Sequence, residues 1–217
     1  MALKQQLAEY RAGWYQRVPA ERQAIMQRHI DRLRDGAIAR TMLKVGDRAP
    51  AIVLENAKGA TVDVGALLKK GPVIVTFYRG GWCPYCNIQL RAYQAALPEM
   101  VALGARLVAI SPQLPDRSLS TAETNELTFD VLSDVGNTVA RRFGLVYALP
   151  EELRAALRSN NKALPGINGD ESWELPVPAV YVIARDRRVA LAAIDVDYRN
   201  RLEPEAILAA LKSLSPA

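Results

Sequence analysis

The chain has 217 residues, half of them hydrophobic and 24% charged, with a formal net charge of +5. That length holds one domain with an appendage, and the composition is that of a globular protein, not a disordered or fibrous one. The positive excess is small and scattered, with Lys69-Lys70 and Arg185, Arg187 and Arg188 reading as solvated element ends, which argues against nucleic acid as a partner.

No apolar run approaches the about 18 residues of a membrane helix. Met1-Ala2-Leu3-Lys4-Gln5-Gln6 does not open a signal peptide, so a cytoplasmic location is expected. In that compartment a lasting structural disulfide is disfavoured, and a transient catalytic one is the plausible kind.

Leu3, Leu7, Tyr10 and Trp14 recur at helical spacing and predict a first amphipathic helix. A second opens at Pro19, carries Met26, Ile30 and Leu33 on one face and ends at Asp35-Gly36. Residues 1–40 thus form an N-terminal helical extension. Its apolar stripes need a partner, either the domain spanning 41–217 or a second subunit of a homodimer. His29, the only histidine, reads as a packing or surface residue.

From Leu43 the pattern changes. Val45-Gly46-Asp47-Arg48-Ala49-Pro50 is turn-like, Ile52 to Leu54 and Ala60 to Val62 flank Lys58-Gly59 as a hairpin would, and Val64 to Lys70 suits a short helix. Val73 to Tyr78 is a β-branched and aromatic run, as in a strand buried on both faces. A helix with Ile88, Leu90, Tyr93, Leu97 and Met100 follows the break Arg79-Gly80-Gly81-Trp82. Next come a strand at Arg106 to Ser111, a helix over Ser118 to Leu127, a strand at Phe129 to Leu132 and a helix over Asn137 to Phe143. The stretch Val146 to Pro176 reads as irregular, with one helix from Pro150 to Ser159, and is a candidate rim or lid. Strands at Ala179 to Ala184 and Val189 to Ile194 and a helix over Glu205 to Leu214 close the chain. Alternating elements followed by a terminal hairpin imply an α/β fold, a central mixed sheet with helices on both faces.

The only two cysteines lie three positions apart, Cys83-Pro84-Tyr85-Cys86, between the buried strand and the helix. Concentrating every thiol at such a junction points to thiol chemistry. Pro84 suits a first helical position, which places Cys83 near an N-cap, where the helix dipole favours a thiolate, and Arg79 adds a nearby cation. A second thiol three positions on attacks the oxidised first sulfur and makes a two-electron couple. A zinc site would need further ligands, and one histidine argues against that and against a Cys-His hydrolase. No metal or other cofactor is implied. Trp82 either shields the dithiol and shapes a substrate groove or simply packs; Tyr85 reads as an exposed or groove residue. Trp173 and Tyr198 read as core or rim, and Asp197 with Arg201 as a structural ion pair.

This order, with C-x-x-C at a strand-to-helix junction and Val177-Pro178 before a later strand, resembles the thioredoxin superfamily. The resemblance implies a thioredoxin-like fold in which Pro178, or else Pro176, is a cis-proline facing the thiols, with Val177 and Pro178 at the substrate. The Val45 to Pro50 turn and the run from Phe77 to Cys86 are similar to the alkyl hydroperoxide reductase/thiol-specific antioxidant group, the peroxiredoxins. Asn168-Gly169-Asp170, Leu175 to Ala179, and Asp197-Tyr198 with Arg201 and Glu203 resemble a bacterial peroxiredoxin-like subgroup. The peroxiredoxin pattern Pro-x-x-x-Thr/Ser-x-x-Cys sets Arg79 at its proline, Cys83 at its hydroxyl residue and Cys86 at its peroxidatic cysteine. Its downstream arginine falls near Val177, where there is none, and Arg79 is the candidate replacement.

Helix-terminus reasoning and the thioredoxin pattern favour Cys83, the usually more exposed thiol, as nucleophile; the peroxiredoxin register favours Cys86. The resemblance implies a thiol peroxidase cycling through a Cys83–Cys86 disulfide. Its substrate is a peroxide or a disulfide, and its reductant is thioredoxin-, glutaredoxin- or glutathione-like. A thiol-disulfide oxidoreductase and a redox-sensing binding module are the alternatives.

Overall fold

A computed structural model describes residues 1–214. Three helices come first, α1 (Leu3–Arg17), α2 (Ala20–Asp35) and the single turn α3 (Ile38–Thr41). The hairpin β1 (Val53–Asn56) and β2 (Thr61–Asp63) leads into α4 (Val64–Leu68), β3 (Val73–Phe77) and α5 (Pro84–Ala102). Then follow β4 (Arg106–Ser111), α6 (Pro115–Thr124), β5 (Asp130–Ser133), α7 (Thr138–Arg142) and β6 (Val146–Ala148). The chain continues through α8 (Glu151–Arg158), α9 (Leu164–Asn168), β7 (Glu174–Pro176), β8 (Ala179–Ile183), β9 (Val189–Ile194) and α10 (Pro204–Leu214).

Seven strands form one sheet in the order β2-β1-β5-β4-β3-β8-β9. β3, β4 and β5 run parallel, and β8 pairs antiparallel with both β3 and β9. The period of two sorts the central side chains onto opposite faces. Val73, Val75 and Phe77 join Val108, Ile110, Tyr181 and Phe143 on one side. Ile74 and Tyr78 join Leu107, Val180, and Leu90 and Tyr93 of α5 on the other. The expected mixed sheet covered on both faces is therefore present.

Two features depart from the expectations. The stretch from 146 to 176 is not irregular: β6 and β7 pair antiparallel, Val146 opposite Pro176 and Ala148 opposite Glu174, and enclose α8 and α9. Strands of three residues are too short to show a period of two, so the pairing leaves no mark in the sequence. Nor is Pro178 a cis-proline, since every peptide bond among the described residues is trans, that of Pro176 included.

The apolar stripes of the first two helices find their partner in this chain. Leu3, Leu7 and Ile30 are buried in the same cluster as Tyr78, Leu90 and Ile207. Polar contacts from the segment after β9 hold them there. The Glu203 carboxylate accepts from the N–H groups of Leu3 (3.2 Å) and Lys4 (2.6 Å), filling donors that the first turn of α1 leaves open. Arg199 donates to Tyr15 Oη of α1 at 3.1 Å and to Gln27 Oε1 of α2 at 2.9 Å.

Candidate active site

The dithiol is set by a turn that only glycine allows. Gly80 has φ +144°, and a Cβ there would stand 2.4 Å from Trp82 Nε1. A Cβ on Gly81 would stand 2.3 Å from Thr121 Oγ1. The turn is fastened by Cys83 N–H to Gly80 O (3.0 Å), Gly81 N–H to Gln113 Oε1 (2.6 Å) and Asn87 Nδ2 to Gly81 O (2.8 Å). Cys83 is the N-cap of α5, Pro84 opens the helix, and the N–H groups of Cys86 and Asn87 donate to Cys83 O.

Both cysteines are reduced and buried, Cys83 at 1% and Cys86 at 0% relative exposure, so Cys83 is not the exposed thiol expected from the thioredoxin pattern. Their surroundings differ. Burial pushes the Cys83 thiol up, and its hydrogen bond to Cys86 and the charge there push it further. Burial acts the same way on Cys86, but the hydrogen bond from Cys83, the charges of Arg201 and Arg79 and a backbone hydrogen bond from Arg79 outweigh it and hold Cys86 well below the ordinary thiol value. Proximity to the helix end alone would have favoured Cys83; the hydrogen bond between the two sulfurs, which raises Cys83 and lowers Cys86, sets them apart, while Arg201 and Arg79 lower both.

Arg201 Nη2 lies 3.5 Å from Cys86 Sγ. Its guanidinium is fixed on two other sides, by Nε to Tyr198 O (2.7 Å) and by Nη1 to Gln89 Oε1 (2.8 Å). Gln89 in turn donates to Tyr93 Oη, which donates to Leu202 O. The expected ion pair of Asp197 with Arg201 is therefore corrected. Asp197 pairs with Arg199, Oδ1 to Nε at 2.6 Å, both side chains buried, which leaves Arg201 for the sulfur. An arginine separated from Cys86 by 115 positions carries no local signal, although the resemblance had singled it out together with Glu203.

Arg79 is buried between two rings, 4.0 Å from the Tyr198 centroid and 4.8 Å from that of Trp82. Burial works against its charge, yet Cys83 and the phenols of Tyr147 and Tyr198 hold its pKa above the usual guanidinium value. Tyr85 is not exposed. It is buried edge-on against Tyr10 of α1 (5.0 Å) and Tyr198 (5.6 Å), because α1 lies across the start of α5. His29 is buried against Tyr147, and desolvation together with the charges of Arg79 and Arg32 pulls it down to about 4.

Cys83 lines a cavity of about 210 Å³ together with Arg79, Trp82 and Tyr85. Val177 is elsewhere, in the core with its N–H on Leu145 O, and Pro178 lines a separate hollow with Gln89 and Arg201. Arg79, Trp82 and Tyr85 thus share the Cys83 cavity, while Pro178 lies on the other side, in the hollow of the Arg201 that approaches Cys86. Among the described residues no three His, Cys, Asp or Glu side chains gather as a metal site would require.

Residues 45–192 match the AhpC/TSA family. A protein of Haemophilus influenzae that carries the name peroxiredoxin bcp is 33% identical over 103 residues, 48% of this chain and 66% of its own length. Chloroplastic peroxiredoxin Q of Populus jackii is 28% identical over 142 residues, 60% of this chain and again 66% of its own length. The chain thus spans just under two thirds of those relatives. The crystal structure of peroxidoxin BcpB from Mycobacterium tuberculosis shares the fold with a TM-score of 0.64 at 22% identity, over 80% of this chain and 99% of that one. The family match takes in the hairpin, the dithiol turn and all the strands up to β9, and on that ground the chain belongs to the AhpC/TSA family.

Proposed function

We propose that the protein is a thiol peroxidase cycling through a Cys83–Cys86 disulfide, with Cys86 as the attacking sulfur. The 3.5 Å approach of Arg201 to Cys86 Sγ carries this reading. The Cys86 thiolate attacks the O–O bond of a hydroperoxide. That bond breaks, one oxygen stays on sulfur as a sulfenic acid, and the other leaves with a proton as an alcohol or water. Arg201 steadies the thiolate and presents N–H groups where negative charge develops on the departing oxygen. The Cys83 thiol then attacks the sulfenic sulfur, water leaves, and the disulfide closes. Arg79 supplies a second positive field from the Cys83 side.

An external thiol completes the cycle, of the thioredoxin, glutaredoxin or glutathione kind. With Leu3, Leu7 and Ile30 buried against their own domain, a homodimer loses its original motive, and light scattering should return the mass of one chain.

Stopped-flow mixing of the reduced protein with hydrogen peroxide and with an organic hydroperoxide, read by tryptophan fluorescence, tests the reading. Oxidation should outrun that of a free thiol of matched pKa and remove two hydrogens without cross-linking chains. A rate no faster than the free thiol, with disulfide exchange running through Cys83, would replace it with a thiol-disulfide oxidoreductase.

A further inference from the structure

We propose that the reductant is a small, anionic, peptide-like thiol that reaches Cys83 through the cavity beneath α1, α2 and α8 and lays its amides and carboxylates in a polar hollow beyond Trp82. This rests on the disulfide-cycling reading and specifies its reductive half.

The cavity of about 210 Å³ opens on Cys83 and not on Cys86. Its walls are Tyr10 and Trp14 of α1, Met26 of α2, and Leu153 and Leu157 of α8. The walls are tied to one another: Arg22 Nη2 of α2 donates to Ala156 O of α8 at 2.9 Å, and Arg28 lies 3.4 Å from Glu152. A reductant must bring its sulfur to about 2 Å from Cys83 to form a mixed disulfide. This space is below the roughly 300 Å³ at which ordinary ligand pockets begin, so a thiol on a short arm enters and a folded protein does not.

Trp82, Asn160 and Lys162 also border a second hollow of about 400 Å³. It is lined by the amides of Asn87, Gln113, Asn125 and Asn161 and by Arg117. No carboxylate lines either space, whereas Arg22, Lys162 and Arg117 do. Gln113 spends its Oε1 on Gly81 N–H, but its Nε2 and the Asn161 side chain have no partner among the described residues. Lys162 has no ion-pair partner among them either, and Arg117 has only exposed Asp116 at 3.7 Å. Unused amide donors beside unopposed cations match a ligand with peptide carbonyls and carboxylates.

The chemistry balances with two equivalents of thiol. The first, as thiolate, attacks Cys83 Sγ; the Cys83–Cys86 bond breaks and its electron pair leaves on Cys86, beside Arg201. The second attacks the mixed disulfide, releasing Cys83 as thiolate and the small thiol as its own disulfide. A sulfur next to a fixed cation is the better leaving group, which favours attack at Cys83.

The full chain, oxidised with diamide so that no peroxide is involved, is mixed with glutathione, cysteamine, dithiothreitol or a thioredoxin-class protein. At equal thiolate concentration glutathione should reduce it about tenfold faster than the cationic cysteamine. The mixed disulfide trapped by mass spectrometry should sit on Cys83. Lys162→Glu with Arg117→Glu should lower the ratio of glutathione to dithiothreitol rates about tenfold, Lys162→Gln by less, and Lys58→Glu not at all. A thioredoxin-class protein outrunning glutathione, an unchanged ratio in the charge-reversed protein, or a mixed disulfide on Cys86 would overturn the proposal. Failure of peroxide to oxidise the reduced protein would strike the peroxidase reading alone.

Discussion

The segment matched to the family, 45–192, and the two flanks outside it contribute to the site in different currencies. The matched segment supplies the dithiol and its frame: the glycine turn, Cys83, Cys86 and the sheet that holds them. The flanks supply their surroundings. Arg201, ahead of α10, lies against Cys86, while α1 and α2 roof Cys83 with Tyr10, Trp14 and Met26. One short run after β9 joins the two effects, since Arg199 and Glu203 hold the roof and Arg201 between them lies against the Cys86 sulfur. Sulfurs one helical turn apart thus have unlike surroundings because unlike segments cover them.

The sharpest way to break that comparison is to remove the sulfurs singly. Cys86→Ser should abolish peroxide consumption. Cys83→Ser should permit one attack and leave a sulfenic acid trappable by dimedone, and exchanged outcomes would assign the attack to Cys83.

Next in size is the cation from the flank. Arg201→Met should slow oxidation by peroxide about a hundredfold, the order seen when one preorganised donor is lost. Because the folded Cys86 pKa is depressed, the wild-type rate should climb with pH and level off below the ordinary thiol range. In Arg201→Met that rise should move to higher pH, with far-ultraviolet circular dichroism unchanged.

Breaking the clamp tests the roof. Arg199→Met leaves Asp197 as a buried unpaired charge, which costs about 3–5 kcal/mol in comparable pairs, and should lower the melting temperature and raise protease cleavage between α1 and α3. Asp197 tests the same pair by pH. Burial would raise its pKa, but hydrogen bonds and charge from Arg199 hold it below the ordinary carboxylate value. Its stabilisation is therefore full above the unfolded carboxylate pKa and lost as pH falls through the folded one. Asp197→Asn should flatten that acid-side slope in urea titrations.

The smallest effects lie on the roof's inner and outer faces. His29 is kept neutral, with a folded pKa of about 4 against 6.5 unfolded. Its contribution is full above pH 6.5 and declines toward pH 4 as the unfolded chain takes up the proton. His29→Gln should remove that decline. Glu152→Gln, at an exposed pair with Arg28, should change stability by no more than about 0.5 kcal/mol.

By itself the sequence determined the elements whose signal is local. The runs Val73 to Tyr78, broken only by Thr76, and Leu107 to Ile110 are apolar because both faces of a central strand are covered, and Leu3, Leu7 and Tyr10 keep helical spacing because one face of α1 is buried. The dithiol was legible for the same reason, since two cysteines, a proline and two glycines within seven positions state a strand-to-helix turn outright. Tertiary structure alone decided which sulfur lies against Arg201 and which is roofed. Strands as short as β6 and β7, the burial of Tyr85 against Tyr10 and the reach of Arg201 across 115 positions all depend on distances between segments remote in the chain. Coulombic and desolvation effects follow those distances, so a pKa and an access route exist only once the chain has closed on itself.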